Sequence, residues 1–168
     1  ARHAQKKHRV GKVLIVDWDV HHGNGTQDIF YEDGSVLFFS SHQSPWYPFT
    51  GHVEEVGSGR GKNCILNAPF AAGAAMKEID GAFLDRLLPA AEKFKPDLVM
   101  ISAGFDSREN DPLGHFKLTD ANFATLTRRL MDFADTHCQG RLVSVLEGGY
   151  RLSGLASAVT SHVGELIK

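Results

Sequence analysis

The chain has 168 residues, 42% of them hydrophobic and 23% charged, and a formal net charge of −2. That is an ordinary globular composition with enough apolar residues for one core, and it gives no reason to expect binding to nucleic acid or to an anionic membrane. No apolar stretch approaches the ~20 residues of a membrane span, and no secretory apolar region precedes the first strand-like run.

In chain order, the basic stretch 2–12 reads as the solvated end of a helix. The apolar runs 13–16, 36–40, 63–67, 98–102 and 142–146 read as strands. Residues 44–61 form a Pro- and Gly-containing connection long enough to suggest a functional loop. Apolar residues at Met76, Ile79, Phe83, Leu87 and Leu88 have helical spacing and predict a helix over 76–94. Thr119 and Asp120 begin a second helix over 121–138, whose buried stripe is Phe123, Leu126, Leu130 and Phe133 and whose stop is Gly140. A third helix over 152–167 carries Leu155, Val159, Val163 and Leu166. Strands alternating with helices of this length imply parallel pairing, hence an α/β fold with a mainly parallel sheet flanked by helices. Cys64 and Cys138 lack metal-site spacing and read as free, buried thiols.

Polar groups follow three of the strands. Asp17-Trp18-Asp19-Val20-His21-His22-Gly23-Asn24-Gly25-Thr26-Gln27 follows the first, Ala103-Gly104-Phe105-Asp106 the fourth, and Glu147-Gly148-Gly149-Tyr150 the fifth. In extended chain, Asp17, Asp19 and His21 project to one side. Open α/β sheets bind ligands beyond the carboxyl ends of their strands, which gathers all three runs at one rim. Asp19, His21 and Asp106 offer a divalent ion three ligands and leave open coordination, the arrangement of catalytic zinc. Tyr150 has a hydroxyl to donate to a developing oxyanion. The chemistry these residues suit is hydrolysis of an amide or ester.

These runs, with Asp111-Pro112-Leu113-Gly114, resemble zinc-dependent histone deacetylases and bacterial histone-deacetylase-like amidohydrolases. Trp18, Asn24 and Glu147 look most like the class II branch. The resemblance covers nearly the whole chain. It implies an arginase/deacetylase-type fold, zinc on Asp19, His21 and Asp106, and Tyr150 as transition-state stabiliser. It also implies structural potassium. Asp17 and Ser40 match side-chain contributors to one such ion, with backbone carbonyls from Asp19, His21 and Ser41; backbone groups near Phe30 and Val36 match a second. Tyr47 matches the wall of an acyl tunnel, and Leu113 its mouth, where an apolar residue suits a neutral acyl-lysine arm better than a polycation. The implied substrate is an acylated lysine or similar N-acyl amine. The motif variants suggest a bacterial cytoplasm, and oligomeric state is left open.

One motif of the resembled family is not in the sequence. Its general base and acid come from a Gly-His-His run upstream of the Asp-x-Asp-x-His strand, whereas His3 and His8 stand alone. Asp17 and Asn24 match the partners that orient that histidine pair. The chain opens on Ala1 with its first methionine at Met76. Residues 1–168 are therefore expected to be the C-terminal part of one deacetylase-like domain, inactive by itself. Two other readings stay open. A metal- or acyl-lysine-binding module would bind without turnover; an arginase-like ureohydrolase would need two metals and more Asp and His ligands than are found. His22 is expected to pack or to support a ligand, and His42 to be a satisfied or a functional loop residue. His52, His115, His137 and His162 are expected at the surface or at caps, with His115 near the tunnel mouth. Gly57 to Gly61 is expected to be a plain loop, and Asp80, Asp85 and Arg86 a solvated helix face.

Overall fold

A computed structural model describes all residues, Ala1–Lys168. The apolar runs form five strands: β1 (Val13–Asp17), β2 (Val36–Gln43), β3 (Ile65–Phe70), β4 (Leu98–Ala103) and β5 (Leu142–Leu146). They pair in the order β3-β2-β1-β4-β5, and every pairing is parallel. The helices are α1 (Arg2–His8), α2 (Asn24–Phe30), α3 (Met76–Ala82), α4 (Leu88–Phe94), α5 (Asp120–His137) and α6 (Leu152–Leu166).

The expected elements are all present, with several differences. β2 runs on to Gln43, so His42, expected in a loop, is a strand residue, and Gly59–Gly61 forms one 3-10 turn within the stretch expected as plain loop. β3 begins at Ile65 because Asn63 takes a left-handed conformation, φ 65°, that ends the preceding turn. The helix expected over 76–94 is interrupted by one wide turn at Phe83–Leu87. Pro89 explains it, since a proline has no N–H to give the carbonyl of Asp85. α2 had no forecast: Asn24-Gly25-Thr26 is a poor helix opening, and seven residues hold as helix only through the packing of Phe30 and Gln27.

Alternation along the central strands feeds two cores. Leu14, Val16, Leu37, Phe39, Val99 and Ile101 meet α3 to α6 in the larger one; Val13, Ile15, Val36, Phe38 and Ile65 form the smaller one with Val10 and Phe30. β1 is buried at all five positions, as a strand covered on both faces should be. β5 is the exception, an edge strand with Val143 46% and Leu146 58% exposed. No helix is long and apolar enough to cross a membrane. Cys64 and Cys138 are free thiols, half-buried and buried.

Candidate metal centre

The chain leaves β1 toward β2 and β3, then returns through α3 and α4 to place β4 on the other side of β1. Beyond the carboxyl ends of these two strands is the switch point where doubly wound sheets bind ligands. Asp19 and His21 follow β1, and Asp106 follows β4, so the topology delivers all three to one place.

Their ligand atoms lie within 4.8 Å of one another. His21 Nδ1 is 2.9 Å from Asp19 Oδ1 and 3.1 Å from Asp106 Oδ2. The remaining carboxylate oxygens are held by backbone: Gly148 N donates to Asp19 Oδ2 at 3.0 Å, and Val20 N to Asp106 Oδ1 at 2.8 Å. Space for the carboxylates requires glycine. A Cβ on Gly104 would meet Asp19 Cα at 2.5 Å, and one on Gly148 would meet Asp106 Cγ at 2.8 Å. Neither glycine has a role that its neighbours in sequence disclose.

The electrostatics follow from crowding two acids around one imidazole. Hydrogen bonds to Asp106 and Asp19 raise the His21 pKa to about 10. Burial pushes Asp106 up. Burial also pushes Asp19 up, but hydrogen bonds from His21 outweigh it and leave that carboxyl below its usual range. Two acids and an imidazole converging at a partly buried point make a donor set that zinc accepts. A cleft of about 220 Å³ opens beside them, lined by Asp17, Ser102 and Glu147 among others.

The other expected site residues fall around this point. Asp17 is buried, its Oδ1 accepts from Asp19 N at 3.0 Å, and burial together with the Asp19 charge lifts its pKa well above the ordinary value. Asp17 pairs in register with Ser40. Ser40 Oγ lies 3.0 Å from His42 Nδ1, and Ser41 Oγ lies 3.5 Å from the carbonyl of Asp17. Phe30 and Val36 flank a turn in which Asp33 N donates to Phe30 O and Val36 N to Asp33 O. Asn24 opens α2 with its side chain exposed. Tyr47 stands edge-on to His21, ring centroids 6.2 Å apart, and Trp46 Nε1 donates to Leu113 O at 3.0 Å. Tyr150 N donates to Asp111 Oδ2 at 2.8 Å; burial and the charges of Asp106 and Asp19 raise its phenol pKa.

The histidines divide differently from the sequence expectation. His52, His115 and His137 are exposed, but His162 is buried, not a cap. Its ring is held by hydroxyls on both sides, Thr127 Oγ1 at 2.6 Å and Ser144 Oγ at 2.9 Å. Its edge meets Trp18, beside Asp19, and Phe105, beside Asp106. Asp80 also departs from a purely solvated face, pairing α3 with Arg129 of α5. His22 and His42 are both buried, their tilted rings 4.7 Å apart between centroids. They tie the 44–61 loop to the sheet: His22 Nδ1 to Thr50 Oγ1 at 2.7 Å, and His42 Nε2 to Gly51 O at 3.0 Å. Gln27 joins this network, bridging His22, Asn67 and Glu55. No spacing in the sequence marks Gln27, Asn67 or Glu55 as partners.

Comparison with known proteins gives a consistent picture. The profile described as a histone deacetylase domain matches residues 1–166. "Histone deacetylase 10, chloroplastic" from Oryza sativa subsp. japonica is 45% identical over 159 residues, covering 95% of this chain and 36% of the rice protein. "Polyamine deacetylase HDAC10" from Homo sapiens is 43% identical over 173 residues, covering 99% of this chain and 25% of the human protein. The crystal structure of the HDA15 HD domain superposes with a TM-score of 0.92 at 41% identity, covering 99% of this chain and 47% of that one. The chain thus spans less than half the length of each.

Proposed function

Since this chain belongs to the histone deacetylase family, we propose that it supplies the metal-holding side of a zinc-dependent deacylase acting on acyl-lysine or a similar N-acyl amine. The observation that carries this reading is the convergence of Asp19, His21 and Asp106 at the switch point. Asp19, His21 and Asp106 would hold the ion, which when bound supplies Lewis-acid polarisation of a carbonyl and a lowered pKa for water.

The protein's own residues perform the rest. Gly148 N and Val20 N fix the outer carboxylate oxygens, and so the direction in which the inner ones point. Tyr150, half exposed and with its phenol pKa raised by partial burial and the neighbouring acids, has a proton to donate in a hydrogen bond to a developing oxyanion. Tyr47 and Leu113 border the approach for the alkyl arm. The histidine pair that moves protons in the resembled family would come from residues outside this chain. Potassium at Asp17, Ser40 and Ser41, and near Phe30 and Val36, would neutralise part of the buried negative charge at the ends of β1 and β2. The relatives named above act, by their names, on histones and on polyamines; Leu113 favours a neutral acyl-lysine arm here. They come from a plant and a human, so a bacterial cytoplasm rests on the motif variants alone.

Replacing Asp106 tests the assignment. Loss of an outer partner of a metal ligand costs about 10–100-fold, so Asp106→Ala in the full natural chain is expected to lower deacetylation of an acetyl-lysine peptide by more than that and to leave the protein without bound metal. Unchanged turnover would refute it.

A further inference from the structure

Six residues other than glycine have positive φ. Arg9 and Lys95 close helices, where a left-handed residue is usual, and Gln139 follows Cys138, the C-cap of α5. Asn63 and Asn110 are of the type that tolerates this region. Phe49, at φ 64°, has neither reason. A bulky side chain is disfavoured there, and glycine would fill the position without strain.

Phe49 is also 72% exposed, and Tyr47, two residues earlier, is 68% exposed. Within residues 1–168, one residue therefore combines an unfavourable backbone conformation with an exposed apolar ring. The segment around it is firmly placed. Phe49 N donates to Trp46 O at 2.7 Å, Thr50 is bonded to His22, and Gly51 to His42. Glu55 receives Gly51 N and His52 N. Trp46 is pinned to Leu113 O, and the Tyr47 ring stands edge-on to His21. The loop holds Phe49 outward, two residues from Tyr47, whose ring lies 6.2 Å from that of His21. Strain maintained in this way clusters at active sites and ligand clamps. From Ser44 to Gly51 the loop has no charged residue, and Leu113, whose carbonyl receives Trp46 Nε1, is another exposed apolar side chain.

We propose that Phe49 contacts the substrate, packing its ring against an apolar residue that flanks the acyl-lysine in a polypeptide and so selecting apolar over charged flanks. This rests on the deacylase reading above and names its substrate class. Tyr47, against the metal ligand, meets the acyl-lysine arm itself; Phe49 meets what comes next to it.

The test compares kcat and KM of the full natural chain on two acetyl-lysine peptides, one with leucine and one with aspartate beside the acetyl-lysine. Phe49→Gly is expected to raise KM for the leucine peptide by about 5- to 10-fold, the low range for an apolar contact in a binding site. Its kcat should hold, its KM for the aspartate peptide should change less than about twofold, and its Tm should not fall. Phe49→Ala, which removes the ring but not the strain, should reproduce the KM effect, and Phe49→Tyr should restore wild-type values. Equal changes on both peptides, or a lower Tm with lost kcat, overturn the inference while leaving deacylase activity standing. Wild-type protein that turns over neither peptide overturns the deacylase reading and this inference with it.

Discussion

Residue by residue, the centre is organised by protonation. In the metal-free protein, His21 is held protonated by Asp106 and Asp19, with its pKa raised to about 10. The sign follows directly: the stabilisation from the His21 charge is in place near the unfolded value of about 6.5 and is lost as pH rises through about 10, while below about 6 protonation of Asp106 removes its share. A metal needs the neutral imidazole. Zinc binding at pH 7 is therefore expected to release about one proton and to tighten as pH rises. Calorimetric titration in two buffers of different ionisation enthalpy measures the number, and no release would exclude His21 as a ligand. These three residues were legible in the sequence because each sits a few positions beyond an apolar run that could only be a strand. His162 was not, since its partners Thr127 and Ser144 lie 35 and 18 residues away. The left-handed backbone of Phe49 was equally hidden, because nothing in the identity of a phenylalanine announces it.

Among elements, α5, α6 and β5 meet at His162. Burial lowers its pKa, so the folded state keeps it neutral while the unfolded chain takes up a proton. Its contribution is present above about 6.5 and is lost as pH falls below that. His42, lowered to about 4 by burial and the His22 charge, behaves with the same sign. His162→Phe would keep packing against Trp18 and Phe105 but leave Ser144 unpaired. It is expected to cost about 1–3 kcal/mol at pH 7.5, and less at pH 5, where the wild type has lost part of the advantage. Urea unfolding at the two pH values checks this; an equal cost at both would count against a neutral, doubly bonded His162. At this scale the strands and long helices were readable from periodicity. The wide turn before Pro89 and the short α2 were not, because the first is a backbone response to a missing N–H and the second depends on tertiary burial of Phe30.

For the molecule as a whole, the parallel sheet was implied by the alternation of strands and helices, but strand order was not. That order matters most, since placing β4 beside β1 brings Asp106 to Asp19 and His21. It also leaves β5 at an edge with Val143, Val145 and Leu146 about half exposed. Open apolar strand edges pair with other chains. The 168-residue chain by itself is expected to self-associate, and Val145→Lys to shift its sedimentation profile toward monomer; a wild-type chain that sediments as monomer would contradict this.

The most direct test of the central claim is acetate release from an acetyl-lysine peptide by the full natural chain, followed after chelation and during titration with Zn²⁺. A deacylase built on Asp19, His21 and Asp106 loses turnover when stripped and regains it, saturating near about one zinc per chain. Turnover that survives complete removal of metal would contradict the account.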